Sequence, residues 1–267
     1  MKRKGILGGI VVVVLLLVLT LAGGGGSVSA EEPTIIASGD CGKDRSNVTW
    51  KLDSAGLLTI SGEGEMEDYS AIGYAYDNWI TTAPWQNRAS KLIIQEGVTS
   101  IGGYAFYNCG ALKSVTIPDS VTSIGYDAFS FCTSITSVTI GSGVTRIRPG
   151  AFGDCTSLRE IYYNAKAVGD LAISYCVFGG AGTSTNGVKV FVGEKVKKIP
   201  AYLFYGAYGE NGNNILECEF LGAPPTVGAG AFGEITRIYA YYPMHNSAWT
   251  ESVRKAYGSK FYWRGYC

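Results

Sequence analysis

Cys109, Cys132 and Cys155 fall 23 residues apart, and with Cys41, Cys176, Cys218 and Cys267 they make seven thiols that could ligate a metal, attack as nucleophiles or pair as disulfides. Structural zinc sites draw their cysteines from C-x-x-C-like turns, which this spacing does not supply. A nucleophilic thiol needs an adjacent base. The chain offers a single histidine, His245, set in the turn-like stretch Pro243-Met244-His245-Asn246. Glu217 and Glu219 come nearest to a catalytic carboxylate pair, but on an extended strand two such residues project side by side from one face rather than across a cleft. Gly62-Glu63-Gly64 and the glycines around Gly179 lack the strand, helix and spacing of a phosphate loop. The sequence therefore predicts no catalytic, cofactor-binding or metal site, and a protein that is not an enzyme.

What positions the cysteines is a repeat. Residues 89–163 carry three successive units: Val98, Val121 and Val144 share a column, as do Ile101, Ile124 and Ile147, then Phe106, Phe129 and Phe152, then the three cysteines. A fixed period of this length with apolar residues in register is the signature of a solenoid, because one coil cannot bury a core and must stack on its neighbours. Val115 and Ile117, like Val138 and Ile140, stand two apart and so point inward from one strand per coil, while Thr116 and Thr139 point outward. The phenylalanines then fill the opposite wall. Within such a wall cysteine acts as a small buried hydrophobe, so Cys109, Cys132, Cys155 and the strand residue Cys218 are expected as thiols.

After Tyr163 the period stretches. Phe178, Phe204 and Phe232 continue the column at intervals of 26, 26 and 28 residues, with the surplus in stretches 179–187 and 206–214, read as surface loops. Val190 and Val192, Cys218 and Phe220, and Ile238 and Ala240 take the inward strand positions, giving a right-handed parallel solenoid of roughly seven coils. Gly125 recurs as Arg148 in the third unit, so a turn demanding positive φ there would force that coil to turn another way.

The second unit, from Leu112-Lys113-Ser114-Val115-Thr116-Ile117-Pro118 through Val121, Ile124-Gly125, Ala128-Phe129 and Cys132, closely resembles the repeat of the BspA-like leucine-rich-repeat family of bacterial surface proteins. The resemblance implies a β-rich leucine-rich-repeat solenoid and an exported protein at the cell surface or secreted, with some members binding host matrix proteins or other cells.

Flanking segments lack the period. Met1-Lys2-Arg3-Lys4, the apolar run to Ala22 and Val28-Ser29-Ala30 read as a signal peptide, residues 1–30, with an uncleaved membrane anchor as the alternative. Residues 31–88 hold two alternating runs around Asp53-Ser54-Ala55-Gly56 and an aromatic stretch from Tyr69 to Trp85. They form a hairpin that caps the solenoid of 89–243. Residues 244–267 form a closing cap, with Ser247 capping a helix over 248–257 and a strand over 260–264. Lys and Arg (22) balance Asp and Glu (22), so no global field draws the chain to nucleic acid, and membrane contact would come only through an uncleaved signal segment.

The outward residues of the strands remain for binding. Taken one per coil they run Ile93, Thr116, Thr139, Tyr162, Phe191, Glu219 and Tyr239, turning aromatic toward the C-terminus. Tyr162, Phe191 and Tyr239, rimmed by Arg159, Lys189 and Glu217, are the candidate ligand-binding residues. Two ligand classes fit them: a host or cell-surface protein, or a glycan stacked on the aromatic rings. The signal-peptide reading predicts that mass spectrometry of secreted protein finds a chain beginning at Glu31; intact protein held in the membrane would favour the anchor.

Overall fold

Alternation such as Ser-Val-Thr-Ile builds strands, and the fixed period stacks them. The computed structural model describes residues 32–45, 47–73, 80–205, 215–233, 235 and 237–267. The expected signal segment, the loop 206–214 and part of the aromatic stretch, 74–79, lie outside the described residues. The strands that matter here are β1 (Ile35–Asp40), β2 (Thr49–Asp53), β3 (Leu57–Ser61), β4 (Lys91–Ile94), β5 (Ser114–Thr116), β6 (Ser137–Ile140), β7 (Glu160–Tyr163), β8 (Val188–Val192), β9 (Ile215–Phe220), β10 (Ile238–Pro243) and β11 (Phe261–Tyr266). One short helix, α1 (Glu251–Ala256), precedes β11.

β5 to β11 form one seven-stranded sheet in which every strand pairs in parallel with the next. Val115, Val138, Ile161, Val190, Cys218 and Ala240 align across it, all buried. Parallel pairing requires each coil to return to the same end before the next strand begins. The return runs through a second wall of short strands. Val98–Ile101, Ser123–Ile124 and Arg146–Ile147 pair in parallel, as do Lys198–Ile199 and Thr226–Val227. The coil between these two groups makes no such strand. There Asp170 supplies the acceptor instead, taking the Ala201 N–H at 2.8 Å and Lys198 Nζ at 2.6 Å. Both bonds favour the ionised carboxylate and hold Asp170 below the usual range.

Between the two walls runs a column of rings. Phe106, Phe129, Phe152, Phe178, Phe204 and Phe232 stack with centroids 4.8–5.6 Å apart, and the first three interfaces lie within 9° of parallel. Near-parallel rings separated by about one coil are offset rather than eclipsed, as their quadrupoles prefer. Trp85 begins the column, 5.6 Å from Phe106 and bonded through Nε1 to Ala105 O at 2.8 Å. Phe261 ends it edge-on against Phe232 at 84°. Each buried ring contributes roughly 1.5–3 kcal/mol from burial, and each stacked pair a further ~0.5–1.5 kcal/mol.

The turns correct one expectation. No positive-φ turn is made at Gly125, which keeps an ordinary φ; a Cβ there would collide with the backbone of Gly102 and Gly103 in the preceding coil. The left-handed residues instead stand two before each phenylalanine, at Tyr104, Asp127, Gly150, Cys176, Tyr202 and Gly230, and two after the first four, at Asn108, Phe131, Asp154 and Gly180. Asn, Asp and Gly accept this region readily, whereas a bulky side chain carries a cost of about 1–2 kcal/mol. Gly150 has a second reason to be glycine, since the Asp127 carboxylate occupies the place its Cβ would take.

The N-terminal alternation folds as the expected antiparallel hairpin of β2 and β3, its turn held by Asp53 Oδ1, which accepts from Ala55 N and Leu57 N at 2.9 Å each. β1 adds antiparallel to β2, and β3 pairs in parallel with β4, so the hairpin lies alongside the first coil. At the other end the helix starts later than expected. Thr250, not Ser247, is the N-cap, its hydroxyl accepting from Val253 N at 3.2 Å. Trp249, Val253 and Tyr257 pack on the core as their spacing predicts, while the final strand runs Phe261–Tyr266 and joins the large sheet beside β10.

Phe129→Ala removes a ring with a stacked neighbour on each side, and is expected to lower stability by about 3–5 kcal/mol in denaturant melts. An unchanged midpoint would contradict the column.

Candidate ligand-binding face

The outer surface of the seven-stranded sheet carries two rows of side chains in register. From β7 onward one row reads Glu160, Lys189, Glu217, Tyr239 and Tyr262, and its neighbour reads Tyr162, Phe191, Glu219, Tyr241 and Arg264. Tyr239 is therefore one row away from the place the sequence gives it. Cys218 pairs with Ala240, not with Ile238, so it is Tyr241 that follows Glu219. A slip of two residues leaves every side chain on its own face, so alternation alone cannot detect it.

Tyr162 and Phe191 sit on adjacent strands and stack almost face to face, 4.6 Å between centroids and 2° from parallel. Lys189 Nζ lies 4.7 Å from the centre of the Phe191 ring and 5.8 Å from that of Tyr241. The same ammonium pairs with Glu219 at 2.9 Å and Glu217 at 3.5 Å. Partial burial works against its charge, yet the two carboxylates outweigh burial and raise Lys189 above the ordinary lysine range. Tyr162 donates its hydroxyl proton to Glu160 Oε2 at 2.9 Å; partial burial and this carboxylate both push its pKa up.

Of the six residues singled out from sequence, Tyr162, Phe191, Lys189 and Glu217 thus come together on neighbouring strands. Tyr239 adjoins Glu217 in the same row. Arg159 stands exposed at the turn entering β7 and makes no ion pair among the described residues. The loop 179–187 is fastened to the end of the third coil by Gly182 N to Cys155 O at 3.0 Å and Ser184 N to Thr156 O at 2.9 Å. Tyr241, Tyr262, Arg237 and Arg264 belong to the same surface and escaped the sequence reading. The alternation Phe261-Tyr262-Trp263-Arg264 carried the signal for two of them.

The arrangement is one of contact rather than bond-making. Glu217 and Glu219, the nearest candidates for paired acids, both turn to Lys189. The cysteine column is buried, with Cys109, Cys132 and Cys155 donating their S–H protons to the carbonyls of Gln86, Phe106 and Phe129 at 3.0–3.3 Å. Burial pushes Cys109 and Cys155 up to about 12 and raises Cys132 and Cys218 as well. Thiols so held are poor nucleophiles at neutral pH. Among the described residues no group of three or more His, Cys, Asp or Glu stands where it could hold a metal ion.

Residues 85–211 match the model of the BspA type leucine rich repeat region, in six copies. Among solved structures the chain is similar to a leucine-rich repeat protein of Eubacterium ventriosum (18% identity, covering 79% of this chain and 80% of that one, TM-score 0.33). It is likewise similar to the leucine rich repeat protein of T. pallidum (18% identity, 83% and 98% covered, TM-score 0.34). A leucine-rich repeat protein of Bacteroides capillosus also matches (20% identity, 58% and 99% covered, TM-score 0.30). No curated protein matches.

The thiol column gives a measurable expectation. Alkylation of the folded protein near pH 8 should leave Cys109, Cys132, Cys155 and Cys218 unmodified, because their raised pKa values keep the thiolate scarce and burial blocks the reagent. Unfolding without reductant should then label all four. Cysteines still unlabelled after unfolding would mean disulfides.

Proposed function

From a chain whose residues 85–211 match the model of the BspA type leucine rich repeat region, we propose an exported, non-enzymatic protein-binding module that acts in adhesion or host and cell-surface contact. Repeats of this kind are typical of bacterial protein-interaction modules, and solenoids in general present extended faces to large partners. BspA-type proteins are typically surface or secreted, and among the described residues no helix is long and apolar enough to cross a membrane. In this reading residues 1–30 direct export, residues 31–88 and 244–267 close the two ends, and 89–243 carry the binding face.

The observation that carries the reading is the packing of the outward aromatics. Glycan platforms offer free ring faces for sugars to stack upon. Here Tyr162 covers one face of Phe191, Lys189 approaches that ring, and Tyr239 and Tyr262 are approached by arginines. What is presented is a mixture of partly covered rings, hydroxyls and charges, a surface suited to the mixed apolar and polar contacts of a protein partner. The rigid parallel sheet below holds these groups in place before the ligand arrives, so little ordering cost remains.

Screening the purified protein against matrix-protein panels and a glycan array separates the two ligand classes. Replacing Tyr162, Phe191 and Tyr239 together with alanine should weaken any protein ligand found by more than about 100-fold, since central aromatic anchors are worth ~2 kcal/mol or more each. The variant should keep a cooperative melt. Unchanged affinity in that folded variant would place the contact elsewhere.

A further inference from the structure

The carboxylates of the face are spoken for: Glu217 and Glu219 by Lys189, and Glu160 by the Tyr162 hydroxyl. Its two arginines are not. Arg237 and Arg264 form no ion pair among the described residues, and each lies instead over the tyrosine of the neighbouring strand. Arg237 Cζ is 5.2 Å from the ring centre of Tyr262, and Arg264 Cζ is 5.7 Å from that of Tyr239. Tyr239 and Tyr262 are directly paired, with ring centroids 6.0 Å apart. The two guanidinium groups therefore lean in from opposite diagonals toward one tyrosine pair. Tyr262 remains 47% exposed, so the cluster faces water.

We propose that this end of the sheet is a carboxylate-binding subsite that takes an extended acidic polypeptide segment of the protein partner. The proposal rests on the protein-binding reading and sharpens it. Guanidinium groups present forked donors that match carboxylates in pairs, and stacking on tyrosine pre-orients them. An extended acidic segment projects every second side chain from one face at about 6.6–6.8 Å, and so presents a row of carboxylates to this end of the sheet. Each arginine covers one side of its tyrosine, which reduces the stacking surface open to an acidic sugar. With equal numbers of acidic and basic residues overall, the attraction is local to this cluster.

The test is fluorescence anisotropy of a labelled hexaglutamate peptide titrated with the purified protein at low and physiological salt, beside hexalysine and hyaluronan oligosaccharides. Hexaglutamate should bind and weaken with salt, and hexalysine should not bind. The double substitution Arg237→Gln and Arg264→Gln should reduce affinity at least tenfold with an unchanged melting temperature. Arg237→Lys with Arg264→Lys should fall between, because ammonium groups keep the charge and lose the fork. Absence of hexaglutamate binding, or equal binding by the Gln pair, would overturn the subsite, and tighter binding of hyaluronan through the same arginines would overturn its assignment to a polypeptide. A matrix-protein panel without a single binder would sink the broader function and leave the hexaglutamate titration to judge the arginines independently.

Discussion

A coil of this length cannot enclose a core of its own, and nearly every other feature answers to that. Its two walls bury their inner faces only when another coil lies above and below, so each apolar position must recur at the same place in the next turn of the chain. Parallel pairing fixes the spacing between coils, and that spacing sets the distance between stacked phenylalanines. The backbone reverses around those rings, with a left-handed residue two before each phenylalanine of the column. The ends are the places where this logic lacks a neighbour. There the chain changes character: Trp85, itself packed by Trp50 and Tyr69, meets Phe106, and Phe261, itself packed by Tyr257 and Trp263, meets Phe232.

The interior columns were legible in the sequence because each is written several times over, and repetition makes a register out of what would otherwise be one apolar residue among many. Features that occur once, or that depend on geometry between coils, were not. β1 hides in Ile35–Asp40, where small residues and exposure blur the alternation. The shift of β10 by two residues is invisible to a period-two pattern, and it moved Tyr239 out of its expected row. The helix cap moved from Ser247 to Thr250 because both residues suit the role and only the downstream N–H decides between them. Arg148 in the next coil left a positive-φ turn at Gly125 open, and nothing in the sequence revealed that the glycine answers instead to the backbone of the preceding coil.

For the candidate face, strand alternation correctly said which residues point outward, and so brought Tyr162, Phe191, Lys189 and Glu217 into view. It could not say which outward residues would engage one another. Lys189 bridging two carboxylates while approaching Phe191 is a property of two adjacent strands. The arginine and tyrosine cluster needs β11 to continue the sheet, which a reading of that segment as mere closure overlooked. Because the inner rows carry stability, the outer rows are free to carry recognition, and their chemistry changes from hydroxyls on the early strands to rings and charges on the later ones.

The contact between Asp127 and Gly150 has a consequence for how such a chain changes over generations. Two residues that are distant in sequence and share no function are tied together because the side chain of one fills the space denied to the other. Asp154 and Gly180 repeat the arrangement one coil later. A coil inserted between such partners fits as it stands where it brings a glycine of its own, as a copy of the Gly150 coil does; with a larger residue there, the carboxylate has to turn aside. The array is therefore not a string of interchangeable beads. Which coil can follow another depends on the turn residue each presents to its neighbour.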